Sequence, residues 1–179
     1  MARKTKQDWM QCAIELLVEY GIDGITIDTL TRKMEVTKGS FYHHFGDMAT
    51  FRAEMLAMCL HQSSTSVIER AEAGATPYEK LMLLTHMAAL IDPSEVAIRV
   101  WALRDPDAHD TLIEIDARRL DYVTSIYRQL GLDDAAAALA SRLFYCVFIG
   151  GHHLLPPVTT PQMYEMFTAL RQLAGVQSE

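Results

Sequence analysis

Between residues 6 and 20 apolar side chains recur at three- and four-residue spacing: Trp9, Ala13, Leu16, Leu17 and Tyr20. That period predicts an amphipathic helix, and Gly21 stands where a helix end favours glycine. Asp23-Gly24 then turns the chain into a compact stretch from Thr26 to Phe45, TIDTLTRKMEVTKGSFYHHF. Leu30 and Met34 recur four apart there. Thr26 is placed to cap the helix they mark, with Ile25 and Leu30 flanking the cap as a hydrophobic staple. The construction repeats at once, with Thr37 as cap and Val36 and Phe41 as staple. Only Glu35 and Val36 separate the two short helices, too little chain for them to run antiparallel. Two capped helices with a tight turn and a shared apolar seam predict a helix-turn-helix. The first helix closes a small core over it through Ile14, Ile25, Leu30, Val36 and Phe41.

Further along, Asp47 caps a fourth helix expected to reach about residue 73, with Phe51, Met55, Met58, Cys59, Val67 and Ile68 on its apolar side. At about 1.5 Å per residue it is long enough to connect a head to a body. Nothing beyond it reads as strand. Thr76-Pro77, Asp92-Pro93, Asp105-Pro106 and Thr160-Pro161 each place a capping residue before a proline at the first helical position, and Glu79 and Glu95 complete two capping boxes. Helices are expected at about 77–91, 93–104, 106–130, 133–154 and 161–174. The fold class is all-α: a three-helix head over residues 1–46 and a helical body over 47–179.

The segment from Ala135 to Leu155 is apolar around nearly its whole circumference, so it needs more than one partner surface. With the last helix it suits a four-helix interface between two copies of the chain. The residues expected there are Leu143, Val147, Phe148, Gly151, Met163, Phe167 and Leu170, with Ala136, Ala140, Gly150 and Gly151 allowing close approach. A helix buried within one subunit is the plainer alternative.

The second helix of the motif carries the chemistry. Lys38, Gly39, Ser40, Tyr42, His43 and His44 crowd its first two turns, while Phe41 and Phe45 point to the core. A helix amino terminus offers free amides to a phosphate, Gly39 lets a duplex backbone approach, and the polar side chains supply donors for phosphates and base edges. The run filled by Thr26, Leu30, Val36, Thr37, Gly39, Ser40, Phe41, Tyr42, His44 and Phe45, T-x-x-x-L-x-x-x-x-x-V-[ST]-x-G-[ST]-[FL]-Y-x-H-F, resembles the amino-terminal domain of the tetracycline-repressor (TetR) family. The resemblance is specific over about residues 9–51 and architectural beyond. It implies a transcriptional regulator, most often a repressor, with a DNA-binding head and a body that dimerises and holds a small-molecule effector. By that pattern Thr37, Lys38, Ser40 and His43 face the major groove, and Thr26, Tyr42 and His44 grip phosphates. The sequence departs from it at Thr31, where the family usually has Ala, at Glu35, where it has Gly, and at Met48, where it tends to have a phosphate-binding Lys. Glu35 is expected to adopt a positive φ at about 1 kcal/mol.

Charge qualifies this picture. The 179 residues carry a net −7, but residues 1–60 hold seven basic and eight acidic side chains, so the deficit of −6 lies in the rest. A near-neutral head with cations at a basic arm (Arg3, Lys4, Lys6) and at the motif suits DNA binding oriented by the local field. An inverted-repeat operator is the expected partner, together with a second copy of the chain and a small effector. No signal peptide and no apolar stretch of membrane-spanning length is found, which predicts a cytoplasmic protein. Cys12, Cys59 and Cys146 are odd in number and widely spaced, and each reads as a core thiol. Effector contacts are expected from Met58, Met87, Trp101, Arg104, Tyr122 and Phe144, an adaptable apolar and aromatic set, with Arg99, His86 and Arg119 able to meet an anion. The adjacent His152 and His153 point about 100° apart on a helix and do not make a metal face. No metal or cofactor is expected, and no nucleophile elbow, phosphate-cradling loop or HExxH helix is found. Glu35, Met48 and the acidity leave a second reading open: a small-molecule-binding protein or enzyme whose head no longer binds DNA. A third is a constitutive DNA-binding dimer without an effector.

Overall fold

The computed structural model of the chain describes residues 4–90 and 92–176, and all regular secondary structure among them is helical. Helix α1 (Lys6–Tyr20) opens on a capping box absent from the expectations above: the Thr5 hydroxyl accepts from the Asp8 amide, and the Asp8 carboxylate accepts from the Thr5 amide at 2.7 Å. Arg3 of the basic arm lies outside the described residues. Helix α2 (Ile27–Met34) begins as expected at Thr26, whose hydroxyl accepts from the Thr29 amide, with Thr29 reciprocating. Glu35 ends α2 with φ 55° and ψ 44°, the left-handed conformation its place in the turn demanded. Helix α3 (Lys38–Phe45) starts after Thr37, but the Thr37 side chain makes no capping bond; its carbonyl accepts from Ser40 instead. Thr31 buries its hydroxyl by donating to the Ile27 carbonyl at 2.7 Å.

The expected fourth helix is interrupted. Helix α4 (Met48–Leu60), capped by Asp47, passes through a π-helical turn (His61–Thr65) into α5 (Ser66–Ala71). Then follow α6 (Pro77–Ala89), α7 (Pro93–Ala102), α8 (Pro106–Gln129), α9 (Asp134–His153) and α10 (Thr160–Leu173). Two capping details differ from expectation. The Glu79 carboxylate reaches the Ala75 amide, one residue short of a capping box, and α10 is capped by Thr159 with Gln162, not by Thr160.

Packing divides the chain otherwise than at residue 46. One compact unit joins the described residues up to His61 with Pro93–Ile113; the other joins Gln62–Asp92 with Glu114 onward. The first is organised on Trp9, Leu16, Leu17, Leu30, Phe41, Phe45, Phe51 and Met55. Helix α7 enters it because Ile98, Trp101 and Ala102 recur at three- and four-residue spacing and all three are buried, against α1. A deep ion pair is internal to α7, where Arg99 meets the buried Glu95 at 2.9 Å.

The second unit packs α5, α6, α8, α9 and α10 around Leu81, Ile126, Tyr127, Phe144, Met163 and Phe167. Helix α9 buries Ala137, Ala140, Ser141, Phe144, Gly151 and His152. A Cβ on Gly151 would stand 2.2 Å from the Met163 sulfur, so this glycine permits α9 and α10 to touch inside one protomer. By length and composition α9 also qualifies to cross a membrane, which the sequence reading did not foresee, although part of it is buried in this unit.

The thiols also divide. Cys12 and Cys59 are buried as expected, but Cys146 is exposed on α9. Burial pushes the Cys59 thiol up to about 12 and raises that of Cys12. Alkylation of the native protein at neutral pH should therefore spare Cys12 and Cys59 until denaturant is added; rapid native labelling of Cys59 would contradict its packing. The left-handed Glu35 gives a second expectation. Glu35→Gly should raise the denaturation midpoint by an amount equivalent to about 0.5–1 kcal/mol, and a loss of stability would show that the turn depends on the glutamate.

Candidate nucleic-acid interface

Eight residues make α3 four columns of i, i+4 pairs, and the columns differ in environment. Phe41 and Phe45 are buried. Ser40 and His44 are half-buried at the flanks, while Lys38 with Tyr42 and Gly39 with His43 are exposed. The buried column is fixed by rings from two other helices. Trp9 of α1 meets Phe41 at 5.6 Å and Phe45 at 6.1 Å, both near edge-to-face, and Phe51 of α4 meets Phe45 at 4.9 Å. These offset geometries are the favoured ones for aromatic pairs. His44 leans toward Trp9, its ring 6.3 Å away. Thr26 and Thr37 are exposed beside the amino ends of α2 and α3.

Gly39 is informative because nothing in the head requires it. A Cβ there would meet only the Thr37 hydroxyl, at 3.7 Å, an ordinary van der Waals contact. A glycine that costs helix stability without relieving a clash leaves room for something outside the protomer.

Three of the first unit's lysines are answered by carboxylates of the same unit. Lys38 Nζ lies 2.5 Å from Asp28 Oδ1, Lys6 lies 2.5 Å from Glu54, and Lys33 lies 3.3 and 3.4 Å from Glu15 and Glu19. The Asp28 carboxylate raises the Lys38 ammonium above its ordinary value. At the start of α4, Asp47 accepts from the Thr50 amide at 2.7 Å, a bond that holds its carboxyl below the usual range. That end is therefore already supplied with an anion. Met48, in place of the family's lysine, is half-buried against the head's core.

The residues expected at the dimer interface fall into two groups. Leu143 is 45 % exposed, and Val147 and Phe148 are half-buried. Gly151, Met163, Phe167 and Leu170 are buried within the protomer, where α9 and α10 pack on each other. For these four the expectation is corrected: their apolar surface is already covered. The uncovered stripe of α9 is Leu139, at 58 % exposure, with Leu143 and Cys146. The half-buried Phe148 packs with the Arg119 guanidinium at 5.2 Å and the His152 ring at 4.8 Å.

The expected effector residues are divided between the two units. Met58 and Trp101 belong to the first unit's core, and Met87, Tyr122 and Phe144 to the second's. Arg104 is exposed. Trp101 is used to pack α7, and Arg99 is matched by Glu95. In the second unit Phe144 stacks on Phe167 at 4.5 Å, and Tyr122 donates to Glu72 at 2.5 Å. Burial, then that carboxylate, raises the Tyr122 phenol. His86 contacts the Tyr164 hydroxyl. Arg119 donates to the Ser63 carbonyl in the π turn at 2.6 Å and to Tyr145 at 3.3 Å, and Tyr145 donates to Asp116 at 2.5 Å. On the exposed side of α8, Arg118 pairs with Glu114 at 2.5 Å. His152 sets its two ring nitrogens against the Phe148 and Leu90 carbonyls. Among the described residues no group of three or more potential ligands could hold a metal.

Asp28 was missed. Its partner lies ten positions away on a different helix, and no helical periodicity links the two. Comparison with known proteins bears on the same segment. Residues 10–55 match the family model described as bacterial regulatory proteins, tetR family. The chain is similar to the transposon Tn10 TetC protein of Escherichia coli, at 37 % identity over 60 residues, 34 % of this chain and 28 % of that protein. It is similar to the HTH-type transcriptional regulator SrpR of Pseudomonas putida, at 24 % identity over 132 residues, 71 % of this chain and 61 % of that one. The chain thus spans less than two thirds of the length of these relatives. The fold of SCO4454, a TetR-family transcriptional regulator from Streptomyces coelicolor, superposes with a TM-score of 0.73 over 93 % of each chain at 16 % identity. The head's sequence thus matches the tetR family of bacterial regulatory proteins over residues 10–55, and the fold of the whole chain is similar to that of a TetR-family regulator.

Proposed function

We propose that the chain is a sequence-specific DNA-binding transcriptional regulator, acting as a homodimer in the cytoplasm and most simply as a repressor. The observation that carries this reading is α3 itself: two exposed columns, Lys38 with Tyr42 and Gly39 with His43, on a helix whose other side is locked by Phe41 and Phe45. Residues 1–46 act as the reading head and 47–179 as the body. Thr37, Lys38, Ser40 and His43 read the major groove with Gly39 at the point of closest approach, and Thr26, Tyr42 and His44 hold phosphates. The dimer places two such helices about 34–36 Å apart, so its site is an inverted repeat.

The exposed α9 stripe of Leu139, Leu143 and Cys146 supports pairing of α9 with its symmetry mate, Val147 and Phe148 lying beside it. The effector is apolar or amphipathic, and Met87, Tyr122 and Phe144 of the second unit are the residues that would meet it. It acts by binding one arrangement of the body better than another, which is all that a ligand can use to shift an equilibrium. Enzymatic turnover has no place in this reading.

A mobility-shift titration against inverted repeats upstream of the chain's own gene tests it. A saturable complex on one repeat, lost when the repeat is scrambled, is the expected result; equal affinity for both would overturn sequence-specific reading.

Two variants sharpen the test. Gly39→Ala should stabilise the head by about 0.5–1 kcal/mol, because glycine is poor in a helix interior, yet weaken operator binding by crowding the duplex. If binding is unchanged, Gly39 is not at the interface. Leu143→Arg should shift the protein to monomers in light scattering and reduce operator affinity at least tenfold, about 1.4 kcal/mol. A dimer of unchanged mass would remove the α9 stripe from the interface.

A further inference from the structure

The exposed Lys38 of the motif is not idle. Lys38 opens α3, and Asp28 lies in the first turn of α2; the two side chains meet at 2.5 Å although both are largely exposed to solvent, at 61 % and 68 %. Lys6 and Lys33 are likewise held by Glu54 and by Glu15 and Glu19. No acidic side chain lies in the first turn of α3 itself, and the Thr37 hydroxyl caps nothing there. The amino end of the reading helix is thus open to an anion, while the side chain best able to draw one in is engaged by a neighbouring helix.

We propose that Asp28 is a specificity-determining residue, a tethered anion that competes with DNA phosphate for Lys38 and so restrains binding to unmatched sequence. The inference rests on the DNA-binding reading and deepens it. A carboxylate fixed in the same domain acts at high effective concentration, whereas a phosphate of random duplex brings little else to displace it. A matched site offers Lys38 a base edge as well as phosphate, with further base contacts from Thr37 and Ser40, and these offset the loss of Asp28. Non-specific affinity comes almost wholly from neutralised phosphates and the counterions they release. Withholding one lysine per head therefore lowers non-specific binding more than specific binding.

The experiment compares the full-length wild type with Asp28→Asn, Lys38→Met and the double variant. Fluorescence anisotropy follows binding to a random-sequence duplex and to the inverted repeat across a range of salt, and circular dichroism checks helix content. Asp28→Asn should tighten random-duplex binding by roughly 3- to 10-fold at low salt and steepen the salt slope by about one unit per engaged head. The preference for the inverted repeat should fall. Adding Lys38→Met should cancel the gain, because the released ammonium is its source. Unchanged slope and affinity in Asp28→Asn would overturn the proposal. So would an equal gain in the double variant, which would trace the effect to net charge alone. If wild type binds no duplex and Asp28→Asn does, the restraint is supported in its strongest form. If neither binds any duplex, the DNA-binding reading fails and the restraint falls with it; wild-type binding with no effect of the variant sinks the restraint only.

Discussion

A helix of eight residues does not hold itself together. Isolated helices shorter than about 12–15 residues are marginal even in favourable sequences, and α3 is not one: Gly39, Tyr42, His43 and His44 are all weak helix formers. It exists because Phe41 and Phe45 lock into the rings of Trp9 and Phe51. Fully burying each phenylalanine contributes about 1.5–3 kcal/mol, enough to outweigh a sum of small propensity deficits. The same contacts fix which way the remaining columns face. Packing and presentation are therefore one event, and the side chains offered outward need not be good helix formers. Trp9 serves this packing although its indole nitrogen finds no hydrogen-bond partner among the described residues.

The turn before α3 shows the same ordering of priorities. Glu35 takes a left-handed conformation that glycine would adopt freely. The strain holds α2 and α3 at the angle where Leu30, Met34 and Phe41 share one core and Asp28 reaches Lys38. Geometry is set by apolar contact, and charge is then distributed over the surface that results. That distribution is economical: lysines at 6, 33 and 38 stand against carboxylates of their own unit, which is how a segment rich in donors stays close to neutral.

Much of this was legible in the chain. The 3–4 spacing of Trp9, Ala13, Leu16 and Leu17 gave α1 its extent, the Thr26 cap began α2, and the proline signals at 77, 93 and 106 located α6, α7 and α8 at their first residues. These are local features, decided by neighbours within one turn. What escaped was decided at longer range. Periodicity marks Ile98, Trp101 and Ala102 as a buried stripe but cannot say which core will cover it, and they joined the head. An all-round apolar helix such as α9 advertises two partners without naming them. Met163, Phe167 and Leu170 were expected to face a second copy, yet the approach allowed by Gly151 brings α10 onto α9 within the protomer. The break at His61–Thr65 carries no proline or glycine to announce it. Cys146 looked buried because its neighbours in sequence are apolar, but it sits on the stripe with Leu139 and Leu143.

That stripe and the short reading helix are two sides of one difficulty. Two exposed columns on eight residues offer few contacts, and in the proposed reading some of them must first displace a carboxylate. A single head would therefore hold DNA weakly, and weakly for any sequence. Joining two heads makes the second encounter intramolecular, which raises overall affinity by factors of about 10² to 10⁴ without any new contact, but only where both half-sites are present at the right spacing. A head built to bind poorly alone thus gains discrimination from being paired. The apolar surface left bare on α9 is what such a head requires from the rest of its chain.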